Sequence, residues 1–447
     1  MTTILKGKNM KIKRYFKWMI CLTVATLAFT ACEDQPDAFE NTGGLPEVSY
    51  IRLPYAASSD SLIVSGYMGN TICMVGNNLT SIRRLYFNDQ EATLNTSYIT
   101  GSTLLVDIPN TIPGVVSDKI YMVNCSNDTV TYDFHVSVPA PTVRTMSFEY
   151  APVGSVVTIN GDYFIDDPNV PLSVKFGEIP AVIDHFTKTA IDVVVPEGAT
   201  ESAVTVETVY GATKSVFHYR ESRGLMFDFD GITGLGNHGW HNVPIETDAD
   251  APSGNYIMLG DGATLMAAEG PWNDGKFAFE YWPGDWSTPT DYPADGIRLF
   301  DLVDFNDFKN MAIKFEMCIP AEYAWGAGAL QVIFAGTDKV TLGNAGTDIY
   351  GNAVPGPNNT YFQNSELPRA LYRPWTVSGP YHTNGKWITV TLPIATEFIY
   401  AFEGGIATGA LKKTDFASLV LFVVGGGISG TDCTPLIKID NIRAVPN

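Results

Sequence analysis

From residue 47 to the C-terminus, apolar and polar residues alternate in short runs, and nearly every run is closed by Gly, Pro, Asn or Asp. TICMVGNNL (71–79), VVTINGDYF (156–164) and KWITVTLPI (386–394) have the period of two expected of strands with one buried face. Lys-, Glu- and Ala-rich periodic runs of the kind long helices need are scarce. The pattern predicts an all-β chain.

Part of the pattern occurs twice. TICMVGNNL (71–79) aligns with VVTINGDYF (156–164), placing Gly76 under Gly161. LYFN (85–88) aligns with VKFG (174–177), LLVDIP (104–109) with IDVVVP (191–196), and KIYMV (119–123) with AVTVE (203–207). The offset stays between 84 and 89 residues, which marks tandem domains. Strand runs at this spacing predict two β-sandwiches, over 46–138 and 139–222. The joints fall in VPAP (138–141) and YRESRG (219–224), turn-rich and semi-rigid. From 223 to 447 there is no third copy. LMFDFD (225–230), KFAFEYW (276–282), MAIKFEMCI (311–319), ALQVIFAG (329–336), SLVLFVVGG (418–426) and LIKIDNIRAV (436–445) predict one larger β-sandwich.

Charge narrows the possible partners. The chain has 447 residues, with 28 Lys plus Arg against 48 Asp plus Glu, a net charge of −20. An acidic chain without a basic block repels phosphate backbones, which argues against nucleic acid. The six basic residues of 1–31 face no acid there, so without that segment the net charge is −26. That segment continues as an uncharged run over 18–31, too short to span a bilayer, and ends at Cys32. It has the make-up of a secretory signal starting at Met1 or Met10. Of the six Cys, Cys73 with Cys125 and Cys318 with Cys433 are possible disulfides of an oxidising compartment, and the sequence leaves both pairings open.

Trp is confined to one region. Seven of the eight lie after residue 224, several in turn-rich segments. Trp282, Trp286 and Tyr292 share WPGDWSTPTDY (282–292); Tyr323 and Trp325 follow Pro320; Tyr372 and Trp375 lie in LYRPWTV (371–377). A Trp or Tyr face on a rigid loop suits a pyranose ring, whose axial C–H groups pack on the π face while its hydroxyls seek polar partners. Asp285, Asp291, Gln331, Arg373 and Asn384 could supply those partners. Trp387 lies in an alternating strand and is expected in the core; Trp272 and Trp240 fit either role.

Several segments carry resemblances. LAFTAC (27–32) resembles a bacterial lipoprotein signal, which implies a lipid on Cys32. The following EDQPD (33–37) resembles the surface-export tract of Bacteroides-type lipoproteins, within a tether over 32–45. The second repeat resembles an immunoglobulin-like domain of the IPT/TIG type, the first a degraded copy, and such modules act as spacers. The final strands resemble those of jelly-roll carbohydrate-binding modules. Together these resemble the surface glycan-binding proteins of polysaccharide-utilisation systems, of the SGBP-B type. That likeness implies two Ig-like sandwiches, a C-terminal glycan-binding jelly roll, and a lipid anchor as the sole membrane attachment at the outer cell surface. It also implies a β-glucan or hemicellulose such as xyloglucan as ligand, a TonB-dependent outer-membrane importer as partner, and no catalysis. Trp286, Tyr323 and Trp325 are the site residues it suggests, from their order along the domain.

Other chemistry finds little support. Glu280 and Glu316 lie on strands without the Glu-x-Asp-x-x-Glu signature of jelly-roll β-glucanases, and HGWH (238–241) lacks the Glu of a zinc hydrolase motif. GGGISG (425–430) is followed by no helix, so it reads as a loop rather than a dinucleotide fingerprint. No cofactor is expected beyond a structural calcium that jelly-roll modules commonly hold, for which Asp228, Asp230 and Asp440 are the candidate ligands. The alternatives are a surface glycoside hydrolase or esterase, or a protein-binding adhesin.

Overall fold

The computed structural model describes residues 39–168, 170–236, 243–249, 251–281, 297–336 and 365–447. They form two compact units, 39–138 and 139–447. Regular structure is nearly all strand, with helical turns of three or four residues. Among the described residues no helix is long and apolar enough to cross a membrane.

The first unit is an Ig-like sandwich of strands β1 (Glu47–Arg52), β2 (Ser65–Tyr67), β3 (Thr71–Asn77), β4 (Ile82–Phe87), β5 (Gln90–Ala92), β6 (Thr103–Asp107), β7 (Lys119–Asn124), β8 (Thr129–Asp133) and β9 (His135–Ser137). One sheet runs β1-β3-β6 and the other β5-β4-β7-β8, with β2 and β9 a short parallel pair. The second unit begins with a similar sandwich: β10 (Thr142–Met146), β11 (Val156–Asp162), β12 (Ser173–Phe176), β13 (Ile179–Pro180), β14 (Val182–Phe186), β15 (Ala190–Val194), β16 (Ser202–Thr208) and β17 (Gly211–Tyr219). Its sheets run β10-β11-β15-β14 and β13-β12-β16-β17.

The repeated glycine has a steric cause. Val48 pairs with Gly76 and Val143 with Gly161, and in both sandwiches the register slips by one residue immediately afterwards. A Cβ on Gly76 would lie 1.9 Å from the Glu47 carbonyl oxygen, and one on Gly161 1.8 Å from that of Thr142. Each bulge brings two backbones too close for any side chain.

The rest of the second unit is the large sandwich. Its strands are β18 (Leu225–Phe227), β19 (Ile245–Thr247), β20 (Asn255–Leu259), β21 (Ala278–Tyr281), β22 (Met311–Cys318), β23 (Ala329–Ala335), β24 (Ala370–Tyr372), β25 (Ile388–Pro393), β26 (Ser418–Val424) and β27 (Ile437–Pro446). One sheet runs β19-β20-β27-β22-β25 with β18 also on β27, and the other β21-β26-β23-β24. All seven predicted runs of this region are strands. The short β19, β20 and β24 carried too little alternation to be read in advance. Phe227, Phe279, Phe315, Leu330, Leu421 and Ile439 belong to one buried cluster. Trp387 is buried as expected, edge-on to Tyr256 with ring centroids 5.5 Å apart.

The segment expected to link the last two domains is a short turn whose end is tied to β27 of the large sandwich. Leu225 pairs with Arg443, the Ala444 amide donates to the Gly224 carbonyl at 2.9 Å, and a Cβ on Gly224 would lie 1.8 Å from the Ala444 oxygen. No disulfide joins Cys73 to Cys125 or Cys318 to Cys433.

Candidate functional site

Of the aromatic residues expected to stack, those the structure describes are Tyr323, Trp325, Tyr372 and Trp375, and the four-stranded sheet β21-β26-β23-β24 is the frame to which the relevant segments connect. At one end, Tyr281 closes β21 opposite Leu419, and Ala335 closes β23 opposite Ser418. These strand ends lie side by side across β26, and residues 282–296 and 337–364 follow them. The Tyr281 hydroxyl donates to the Ile297 carbonyl at 2.7 Å, so the two described ends around 282–296 are pinned together. Burial pushes the Tyr281 phenol up to about 12, which keeps it a donor. Trp282, Trp286 and Tyr292, with Asp285 and Asp291, lie outside the described residues, as do Trp240, His238, His241 and Cys32.

The other end carries Trp325, Tyr372 and Trp375, and here the expectation fails for both tryptophans. Trp325 is 0% exposed and its indole N–H donates to the carbonyls of Ala327 at 2.8 Å and Gly328 at 3.1 Å. Trp375 opens the helical turn Trp375–Ser378, is buried, and donates to the same Gly328 carbonyl at 2.9 Å. Side chains buried this deeply cannot offer a face to a sugar, and both belong to the core cluster. The Pro and Gly around them shape turns that fold down onto the sheet. The bridge between Trp325 and Tyr381, with backbone hydrogen bonds of 2.8 and 2.7 Å, closes them in.

Tyr323 and Tyr372 keep partly open rings. Tyr323 lies over Gly262, whose positive φ and missing Cβ leave room for the ring. Tyr372 packs 6.1 Å from Trp325, and burial raises its phenol above the usual range, with Tyr381 adding to the shift. Trp272 is half-buried, edge-on to Phe422 at 4.7 Å. Gln331 is also core: its amide donates to Phe402 and Val424 carbonyls and accepts from Arg369. Arg373 donates to the Gly426 carbonyl and lies 5.9 Å from the centroid of the Tyr400 ring, a half-exposed pair of which the sequence marks Arg373 but not Tyr400. Asn384 is exposed.

The other candidate chemistry is mostly accounted for by structure. Glu316 is fully buried; it accepts from Arg443 at 2.8 and 3.2 Å and from Thr389 at 2.9 Å, so it cannot reach a glycosidic bond. Burial pushes its carboxyl up, with Arg443 pulling the other way. Glu280 is buried on β21. GGGISG forms a loop, with the Gly425 and Gly430 amides donating to Gly270 and Ala268. Among the described residues, one group of three metal-capable side chains has ligand atoms within 4.8 Å of one another, namely Glu201, His218 and Glu221, and Arg223 already pairs with Glu221 there. Asp228, Asp230 and Asp440 do not form such a group. They accept instead from the Ile232 amide at 2.8 Å, the Asn255 amide at 2.7 Å and the Ser253 hydroxyl at 3.1 Å.

Comparison with known proteins supplies what the described aromatics alone do not. A family model described as the surface glycan-binding protein B xyloglucan binding domain matches residues 219–446, just over half the chain. The chain belongs to the surface glycan-binding protein B family. An IPT/TIG domain model matches residues 141–220. The crystal structure of the surface glycan-binding protein PbSGBP-B from Prevotella bryantii is 45% identical, with a TM-score of 0.78, over 90% of this chain and 99% of that one. An IPT/TIG domain-containing protein of Bacteroides ovatus is 21% identical, over 66% of this chain and 81% of its own length. The SGBP-B of a Bacteroides uniformis xyloglucan utilization locus matches at 15% identity and a TM-score of 0.40 over 90% of this chain and 100% of that one, too weak a likeness to say anything of this chain. As a surface glycan-binding protein, the chain binds polysaccharide at the cell surface.

Proposed function

We propose that this protein captures xyloglucan, or a β-glucan with the same backbone, without cleaving it, and hands it to an outer-membrane importer of the TonB-dependent type. The observation that carries this is the coincidence of two boundaries. The xyloglucan-binding family match covers 219–446, and the same stretch holds seven of the eight Trp. Trp282, Trp286 and Tyr292 stack on the glucan backbone, with Tyr323 and Tyr372 as further partly open rings. That choice is supported by the described end of β21, Tyr281, which directly precedes 282–296 in the chain and is paired within the sheet opposite Leu419. The non-catalytic reading rests on Glu316, whose oxygens are committed to Arg443 and Thr389. A net charge of −26 without the signal segment suits a neutral glycan better than an anionic one. Cys32 carries the lipid, and the acidic tract after it directs export.

Affinity electrophoresis against xyloglucan, mixed-linkage glucan and a pectin tests this, with a reducing-sugar assay alongside. Retardation by xyloglucan with no sugar release is the expected result. Release would replace the binder with a hydrolase, and retardation by none of the three would remove the glycan assignment. Labelling with radioactive palmitate, lost in Cys32→Ala, tests the anchor.

A further inference from the structure

The second Ig-like domain meets the large sandwich through a buried set of charges. Glu149, in the loop after β10, is 1% exposed. Its carboxylate accepts from Lys314 Nζ at 2.5 Å and from Arg443 Nη2 at 2.7 Å. Arg443 also donates to both oxygens of Glu316. Lys314 and Glu316 stand two residues apart on β22, and Arg443 pairs with Lys314 from the neighbouring β27, so the three share one face of the sheet. Thr389 on β25 completes the contact: its hydroxyl donates to Glu316 and accepts from the Glu149 amide at 2.7 Å, and its own amide donates to the Ser147 carbonyl at 2.9 Å. Two rings of the Ig-like domain cover the cations, Phe217 at 5.3 Å from Lys314 Nζ and Tyr150 at 5.1 Å from the Arg443 guanidinium carbon.

Two carboxylates facing two cations are neutral as a set, and each is left uncompensated if the domains separate. Breaking such a buried set by removing one partner is strongly destabilising, whereas exposed pairs contribute little. The pairing of Gly224 and Leu225 with β27 leaves no free hinge between the domains. A spacer needs neither feature.

We infer that the second Ig-like domain is a structural half of the glycan-binding head: the Glu149–Lys314–Glu316–Arg443 cluster fixes it to the large sandwich at one angle, and the two unfold as one cooperative unit. Glu149 is thus a positioning residue, acting through Lys314 and Arg443 on two strands of the head. The placement of tryptophan gives a clean readout. In the chain from residue 33 onward, every Trp follows residue 224, so Trp fluorescence reports unfolding of the large sandwich alone.

The experiment follows that signal during thermal unfolding of the chain from residue 33 to 447. Val206→Ala, in the core of the Ig-like domain and far from the cluster in sequence, is expected to lower the Trp midpoint by about 3 °C or more. Glu149→Gln is expected to lower it at least as far. Adding Lys314→Met, which removes the stranded cation, should recover more than half of that loss. The exposed control Glu178→Gln should leave the midpoint in place. A Trp midpoint unmoved by Val206→Ala, or a Glu149→Gln variant indistinguishable from the control, would overturn the proposal while leaving the glycan assignment untouched.

Discussion

The two Ig-like domains share a framework, and the loop after the first strand is where their surroundings differ most tellingly. In both, the first strand pairs with a strand carrying a bulge glycine, and from there an offset of 95 residues aligns Pro54-Tyr55 with Glu149-Tyr150. Tyr55 is 68% exposed, whereas Tyr150 is 6% exposed beneath Arg443. The fold therefore depends on what the copies share, the bulge and the alternating core. The role depends on what they do not share, a carboxylate and a ring that the large sandwich covers.

The most severe test removes the shared feature. Gly76→Ala and Gly161→Ala each push a methyl group into a carbonyl oxygen with no flexible side chain to yield, at a cost of about 3 kcal/mol or more. Circular-dichroism melting should show both domains weakened alike. If one tolerates the methyl group, the bulge is not the common determinant.

A second test separates core from surface within the head. Trp325→Ala empties a fully buried site and should destabilise by about 3–5 kcal/mol, with glycan retention failing only because the domain is lost. Trp286→Ala should leave the melting midpoint within about 1 °C and cut xyloglucan affinity about tenfold, the loss of roughly 1.4 kcal/mol of stacking. Reversal of the two outcomes would relocate the site.

That contrast also marks where the sequence stops being informative. Alternation revealed the long strands because each has a buried face, and the tandem copies because Gly76 and Gly161 answer the same steric demand. Pro and Gly around Trp325 and Trp375 announce a turn without saying which way it faces, so the sequence suggests open rings where the fold buries them. What decides the matter is an acceptor in register, the Gly328 carbonyl, which only the three-dimensional arrangement supplies. The charge cluster was invisible for a related reason. Glu149, Lys314, Glu316 and Arg443 are scattered over 295 residues, and each alone looks like a solvated side chain.

A third test concerns a buried carboxyl beside that cluster. Asp440 pairs with Glu316 across the strands, and burial pushes its carboxyl up to about 8. In the unfolded chain it ionises near 4. The folded state then holds the proton more tightly, so stability falls as pH rises from about 4 to about 8, by at most roughly 1.4 kcal/mol per pH unit, and levels off above. Trp-detected melts between pH 5 and 8 should show this slope, and Asp440→Asn should flatten it. A variant with the wild-type slope would assign the titration to another group.

The mildest test returns to the paired tyrosines. The Tyr150 hydroxyl donates to the Glu221 carbonyl at 2.6 Å, both groups buried, so Tyr150→Phe leaves an acceptor unsatisfied and should cost about 1–2 kcal/mol. Tyr55→Phe removes a hydroxyl from an exposed ring and should change stability by less than about 0.5 kcal/mol. Urea unfolding, monitored by Trp fluorescence for Tyr150→Phe and by circular dichroism for Tyr55→Phe, resolves differences of that size. Equal effects would mean that burial against the head has not changed what this position does, and the contrast between the copies would then rest on Glu149 alone.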